Sequence, residues 1–332
     1  MFNVLGIETS CDETAVSVVA DGRHILSNII FSQEHLHKQF GGVFPEIASR
    51  SHEEVLPKAI DLALKKAQIS PQDLDLIAAT HGPGLIGALL VGLNAAKALS
   101  IAWEKPFVGV NHIEAHLYSA MMAHLEKNLY PALGVVVSGG HTLMVKILDL
   151  CQYELIGETV DDAIGESFDK VASMLDLAYP GGPKLEKLAL LGNPTKFSFK
   201  AGKVKRSPYD FSFSGLKTSV LYALKKSEKK KKEDLAASFQ ETALNDILSK
   251  SLLAIQSFNP KAVFLGGGVT QNQRLRELFT QKCPLPVFFP PTALCTDNAA
   301  MIAGLGYQLF YLNSKGHSLE LEALPRLSFS LV

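Results

Sequence analysis

One strand–turn–strand plan occurs twice in this chain, 128 residues apart, and any fold the chain adopts has to house both copies. Val4-Leu5-Gly6-Ile7-Glu8-Thr9-Ser10 reads as a buried strand, Cys11-Asp12-Glu13 as a polar turn, and Thr14 to Val19 as a returning strand that ends at Asp21-Gly22. From Leu133 to Asp149 the order recurs: an apolar run, the turn Ser138-Gly139-Gly140-His141, and a second apolar run. At that offset Leu5, Gly6, Ser10, Thr14 and Asp21 coincide with Leu133, Gly134, Ser138, Thr142 and Asp149. A duplicated domain explains the coincidence; chance similarity between two hairpins is the competing explanation, because short strand patterns repeat easily.

Between the hairpins, Pro45 to Lys66 has helical spacing, with Ile47, Val55, Leu56, Ile60 and Leu64 expected on its inner face. Asp75 to Thr80 reads as a buried strand that runs through His81-Gly82-Pro83-Gly84-Leu85-Ile86-Gly87 into an apolar helix from Ala88 to Trp103. Phe107-Val108-Gly109-Val110 is a further strand, delivering Asn111 and His112 to the next helix. In the second half, Lys261 to Leu265, Gly266-Gly267-Gly268 and Asn272 to Gln281 repeat strand, turn and helix. This alternation predicts an α/β fold with functional groups at the carboxyl ends of strands, and His112, the Ser138 turn and the Gly266 turn all fall there. The expected cleft lies between the two halves.

A chain of 332 residues, 47% hydrophobic and 20% charged, has the length for about two domains with true cores. The net charge of −1 does not announce a nucleic-acid binder, so any such contact has to come from local patches. The one charge run, Lys225 to Glu233, reads either as a solvated segment or as a phosphate contact. Cys11, Cys151, Cys283 and Cys295 are scattered and form no C-x-x-C, which predicts reduced thiols in a cytoplasmic protein. No basic segment precedes the first apolar run, which Glu8 interrupts, so no secretory signal is expected. No run of about 18 uninterrupted apolar residues occurs, so no membrane span is expected.

Asn111-His112-Ile113-Glu114-Ala115-His116 carries two histidines four apart. On a helix they sit about 40° apart around the axis and project to one side. Neutral imidazoles at that spacing can hold one metal ion, and Asp297, in Cys295-Thr296-Asp297-Asn298, offers a carboxylate as third ligand. Such a set leaves coordination positions open, which suits substrate chemistry, and it accepts iron or zinc. The alternative is two histidines that merely pack or cap. Glu114 lies about 200° round from His112, whereas the zinc-protease H-E-x-x-H puts its glutamate about 100° round, so a metalloprotease is disfavoured.

Three glycine turns, Ser138-Gly139-Gly140-His141, Gly181-Gly182-Pro183 and Gly266-Gly267-Gly268, allow close backbone approach to an anion. Hairpins and strand–helix turns need glycine anyway, so each alone says little. Together they point to a nucleotide. Asp12, Glu13, Asp161, Asp162, Glu166 and Asp169 are candidate carboxylates for ribose, substrate or metal, and many are expected to be surface or capping groups. Asp169 stands out, because Gly165-Glu166-Ser167-Phe168-Asp169-Lys170 leads toward the Gly182 turn.

Several of these motifs, in one fixed order, resemble the TsaD family, also called Gcp. They are Ile7 to Thr14, His81-Gly82-Pro83-Gly84-Leu85, His112-x-Glu114-x-His116, Val137 to Thr142, Phe211-Ser212-Phe213-Ser214-Gly215-Leu216-Lys217 and Cys295 to Asn298. The resemblance runs to about Gly304. It implies a two-lobed actin-like (ASKHA) fold with duplicated domains and an interlobe cleft. The lobes would span 1–129, completed by a C-terminal helix near 300–315, and 130–300. It also implies transfer of a threonylcarbamoyl group from threonylcarbamoyl-AMP to N6 of the adenosine at tRNA position 37, with iron(II), a TsaB-like paralogue and a TsaE-like ATPase. Residue by residue, His112, His116 and Asp297 match the metal ligands. Val136, Val137, Ser138, Gly139 and Gly140 match the substrate turn, and Asp169, Gly182 and Asn272 match further contacts to the adenylate. Glu186 occupies a position that is often acidic. Gln271 departs from the family, which commonly has a small residue before the asparagine, and this bears on adenine packing.

The donor implied is a mixed anhydride with a good leaving group, so positioning and charge stabilisation matter most. The acceptor amine is a weak nucleophile, and Asp12 and Glu13 in the first turn are candidate bases. An ATPase or kinase of the same fold would share the hairpins but would need no histidine pair. A scaffold would not require the intact triad.

Overall fold

The computed structural model describes residues 1–226 and 231–329 and divides into two compact units, each with its own five-stranded sheet. The first unit holds Met1–Leu125, Leu150–Gln152 and the chain from Thr296 onward; the second holds Glu126–Asp149 and Tyr153–Cys295. Ser227 to Lys230, the middle of the lysine run, lie outside the described residues.

In the first unit the chain forms β1 (Asn3–Glu8), β2 (Glu13–Ala20), β3 (His24–Ser32), a short α1 (Glu34–His37), α2 (Pro45–Ala67), β4 (Leu76–Gly82), α3 (Ile86–Trp103), β5 (Phe107–Asn111) and α4 (His112–Met121). The sheet order is β3-β2-β1-β4-β5. The first three strands are antiparallel neighbours, and β4 and β5 are added parallel. β1 is central, and Val4 to Glu8 are all buried. That explains a continuous apolar run rather than alternation, since both faces are covered. Leu5 and Ile7 pack with Leu56, Ala59, Leu93 and Ala96 of α2 and α3. The opposite face of β1 meets α10 (Ala299–Asn313), the last helix of the chain, through Gly6.

The second unit contains β6 (Ala132–Val137), β7 (Thr142–Asp149), β8 (Gln152–Glu158), α5 (Ile164–Met174), α6 (Gly182–Ala189), α7 (Ser214–Lys225), α8 (Lys232–Phe258), β9 (Val263–Gly266), α9 (Gln273–Lys282) and β10 (Val287–Phe288). Its sheet order, β8-β7-β6-β9-β10, is that of the first unit strand for strand. Ile7 pairs with Val16, and Val135 with Met144, 128 residues on, so the two hairpins share one register. The echo in the sequence is therefore a duplicated sheet topology.

Some local expectations shift. The inner face of α2 is Ala48, His52, Leu56, Ala59, Ala63 and Leu64, so Leu56 and Leu64 face inward as expected, while Ile47, Val55 and Ile60 are half-buried. Small residues allow close packing on the sheet, and the buried His52 is satisfied by hydrogen bonds, so apolar spacing alone missed these positions. Asn272 caps α9 rather than opening it. α3 is, among the described residues, the one helix long and apolar enough by length and composition to cross a membrane. It packs on β4 and α2, and Lys97 within it donates from Nζ to the carbonyl of Leu321 at 2.6 Å.

The α10 contact is set by backbone. A Cβ at Gly6 would lie 2.4 Å from the carbonyl oxygen of Ala299 and 2.7 Å from the amide of Ala303. Gly6→Ala is therefore expected to destabilise the protein by about 1–3 kcal/mol, read as a lower urea midpoint. A midpoint equal to wild type would show that α10 adjusts without loss.

Candidate active site

Within the first unit, β5 ends at Asn111, whose side chain accepts hydrogen bonds from the amides of Ile113 (2.9 Å) and Glu114 (3.3 Å) and so starts α4 at His112. His116 follows one turn later, and the two rings meet edge to face with centroids 4.6 Å apart. Asn298 caps α10 through the amide of Met301, placing Asp297 just before the helix. Asp297 Oδ1 lies 3.1 Å from His116 Nε2 and 3.6 Å from His112 Nε2. The three residues offer ligand atoms within 4.8 Å of one another, and both histidines are buried.

His116 tests whether a cation fits. Both its ring nitrogens are buried and make no hydrogen bond among the described residues, despite the short distance to Asp297. A buried polar nitrogen without a partner is costly, and a cation on Nε2 removes that cost. His112 is prepared differently. Its Nδ1 lies 2.9 Å from Glu8 Oε2 and 3.2 Å from the Ser10 hydroxyl, which leaves Nε2 to face Asp297. Glu8 is fully buried at the end of β1. It also accepts from the Ser10 amide and the Thr80 hydroxyl, each at 2.5 Å. Burial works against charge on this pair, but the two partners outweigh it. The Glu8 carboxyl is held below its usual range by His112, and His112 is raised to about 9 by Glu8 and Asp297.

Asp12 lies in the turn between β1 and β2, while Glu13, expected in that turn, is already the first residue of β2 and pairs with Ser32 of β3. Burial pushes the Glu13 carboxyl well up, and the charges of Asp297 and Asp12 add to this, favouring a proton donor over a base. Burial likewise pushes the Cys11 thiol up, so it is no ready nucleophile.

The second unit gathers the glycine turns. Ser138 is tied to its own turn: its amide donates to the carbonyl of His141 at 2.8 Å, and its hydroxyl accepts from the amide of His141 at 3.0 Å. The carbonyls of Ser138 and Gly139 accept from the amides of Gly165 and Glu166 at the start of α5. A Cβ at Gly165 would lie 2.6 Å from the carbonyl oxygen of Ser138. One at Gly267, where φ is +96°, would lie 2.4 Å from that of Val137. Those two glycines are needed for packing. Gly139 and Gly140 are exposed, adopt no left-handed φ, and have nothing within 4 Å of an added Cβ. Val136 and Val137 are buried in β6 and can offer only backbone.

The remaining sequence-derived residues already have work in the fold. Asp169 Oδ1 accepts from the amides of Gly181 (2.8 Å) and Gly182 (3.0 Å). Glu186 accepts from the amide of Gln273 at 2.7 Å, and burial raises its carboxyl. Asn272 caps the amide of Leu275 and donates to Gln240. Gln271 donates to the carbonyl of Thr292 at 3.2 Å. Sequence reasoning did not find Glu8, Thr80, Gln240 or Gly165; the available signal was a glutamate inside an apolar strand run.

The family model for TsaD, tRNA N6-adenosine threonylcarbamoyltransferase, matches residues 24–304. A protein of that description from Protochlamydia amoebophila (strain UWE25) is 55% identical over 97% of both chains. One from Dictyoglomus turgidum is 48% identical over 97% of this chain and 98% of its own. The chain belongs to the TsaD family. It is thus a transferase of tRNA modification. Among solved structures, HypF from T. kodakarensis matches with a TM-score of 0.66 at 17% identity over 96% of this chain and 49% of its own. Component A of the (R)-2-hydroxyglutaryl-CoA dehydratase of Acidaminococcus fermentans matches with 0.54 at 14% identity, over 93% of this chain and 99% of its own. These likenesses show the fold alone, which is the duplicated actin-like α/β class.

In this TsaD-family chain Glu8 is the group that orients His112. Glu8→Gln keeps the shape and removes the charge, and is expected to weaken divalent-metal binding about 10–100-fold in calorimetric titration, with the circular dichroism of wild type. Unchanged affinity would remove Glu8 from the site.

Proposed function

We propose that this chain transfers the threonylcarbamoyl group of threonylcarbamoyl-AMP to N6 of the adenosine at tRNA position 37. The observation that carries the reading is the His112–His116–Asp297 triad, in which two buried imidazoles converge on one carboxylate, in a chain of a family named for this transfer. One divalent cation per chain, iron(II) by family resemblance and zinc by ligand chemistry alone, would be held by His112 and His116 through Nε2 and by Asp297. When bound, it supplies Lewis acidity toward a donor oxygen.

The chain's own residues divide the remaining work. Glu8 accepts from His112 Nδ1, which fixes the tautomer and orientation that leave Nε2 open toward Asp297. The exposed amides of Gly139 and Gly140 suit the donor phosphate, because no Cβ stands between backbone and ligand. Asp169 holds the Gly181–Gly182 backbone, and Glu186 and Asn272 fix the start of α9, so these three act on the adenylate by shaping the turns around it. Asp12 and Glu13 are the proton-handling groups at the first turn. The acceptor base is presented unstacked. A TsaB-like paralogue and a TsaE-like ATPase are its partners, and the reaction is cytoplasmic; of the residues expected at the paralogue contact, half-buried Ile47 remains available, whereas Leu56 is buried against β1 and is not part of that surface.

His116→Ala tests the triad. It is expected to fold, to lose the metal, and to fail to restore threonylcarbamoyladenosine in tRNA of depleted cells. Wild-type metal stoichiometry in that variant would remove the site. Gly139→Ala tests the turn cleanly, since the added methyl meets no protein atom. It should leave stability within about 0.5 kcal/mol while weakening a stable donor analogue roughly tenfold or more, about 1.4 kcal/mol. Equal affinity would retire the turn as a ligand site. Purified chain alone turning over tRNA at a rate unaffected by partner proteins would refute the partner requirement.

A further inference from the structure

A groove of about 490 Å³ opens on the second unit between residues 197–202 and the C-terminal half of α7. Ser198, Phe199, Lys200, Ser219, Tyr222 and Lys226 line it, with no acidic residue among the lining groups. Its wall is anchored. The Phe197 amide donates to the Ser238 hydroxyl at 3.1 Å, and the Gly202 amide to the carbonyl of Ser212 at 3.2 Å. Phe197 and Phe199 stack with centroids 5.7 Å apart. From Thr195 to Tyr209 there is no acidic residue, and from Phe211 to Lys226 again none. Of the cations in these stretches, Arg206 is paired with Asp210 and Glu158, and Lys217 with Asp162. Lys196, Lys200, Lys203, Lys205, Lys225 and Lys226 are exposed and have no ion pair among the described residues. In a chain of net charge −1, this is a local concentration of unbalanced positive charge.

The chemistry that matches is a polyanion with flat rings. Lysines neutralise phosphates, serine hydroxyls donate to phosphate and sugar oxygens, and a ring as open as Tyr222, 62% exposed, gives a stacking face. The groove is also placed for a long substrate. α7 begins beside Asp161, which accepts hydrogen bonds from the Ser212 and Ser214 hydroxyls and lies three residues before α5 and its contacts to the Ser138 turn. From there α7 runs 12 residues, about 18 Å at 1.5 Å per residue, to Lys226 at its far end. That length spans several nucleotide steps of an A-form stem. We infer that this groove docks the sugar-phosphate backbone of the tRNA substrate, away from the base being modified. The inference rests on the reading of tRNA as substrate.

The test uses the full chain with its partner proteins and unmodified tRNA, in filter binding across a salt series. Lys200→Glu with Lys226→Glu should weaken binding about tenfold or more and lower the log–log salt slope by roughly 1.4 to 1.8, two phosphate contacts. The pair Lys200→Arg with Lys226→Arg should retain wild-type values. Tyr222→Ala should weaken binding several-fold with the slope unchanged, because stacking releases no counterion. Metal stoichiometry and donor-analogue affinity should not move. Wild-type tRNA affinity and slope in the charge-reversed pair would overturn the inference. So would loss of an acidic protein partner from that pair with tRNA affinity intact. If tRNA binds through the groove yet is never threonylcarbamoylated, the proposed reaction fails and the docking surface stands.

Discussion

Everything in the first unit's candidate site hangs on one buried carboxylate. Glu8 has no exposed surface, and a charge in that position is tolerated only when fully partnered. Its two oxygens draw together the Ser10 amide after β1, the Thr80 hydroxyl on β4 and the His112 imidazole at the start of α4. Three pieces of backbone that are distant in sequence are thereby pinned to one point. The imidazole presented to Asp297 is consequently fixed by the same contacts that close the sheet end. Structure and chemistry at this point share their atoms, and neither can be altered alone.

The duplication gives a way to see how the two units diverged. Ser10 and Ser138 are equivalent by register, yet Ser10 meets an imidazole and Ser138 closes its own turn. Thr14 and Thr142 are equivalent too; one meets His52 and the other accepts from the amide that begins α5. The first turn carries Cys11 and Asp12, with Glu13 opening β2, and its surroundings accumulate negative charge. The second carries two glycines and exposes amides. From one hairpin plan came one turn beside a cluster of histidines and a carboxylate, and another whose glycines stand open.

Much of this was legible in the sequence, for identifiable reasons. Strands β1, β4, β6 and β9 are apolar runs bounded by polar or glycine turns, and the period-2 register of the hairpins preserved the 128-residue offset. The histidine pair was legible because helical spacing converts directly into a shared side. Glu8 was not, because a buried carboxylate looks the same in sequence as an interruption of a strand; only the folded chain shows what neutralises it. Gly165 was likewise hidden, since the need for glycine there comes from a carbonyl of another segment, whereas Gly267 was legible as part of a glycine turn but not its packing on Val137. The face of α2 was legible only at Leu56 and Leu64, because its other innermost positions are alanine and histidine, which carry little of the apolar signal that spacing arguments use. Asp169 and Asn272 were found as residues of interest, but sequence gave no hint that backbone amides already occupy their oxygens.

The helix that closes the first unit is made only after the whole of the second unit. α10 lies against Gly6 of β1, and the residue before its cap is Asp297. The second unit, apart from the three-residue excursion at 150–152, is a single stretch from Glu126 to Cys295. During synthesis it therefore has all its strands before the first unit has its final layer. One face of β1 stays uncovered while most of the chain is being made, and His112 and His116 lack the Asp297 carboxylate for the same interval. The histidine pair is thus made long before the carboxylate that faces it, and the three residues come together only once α10 has docked against β1.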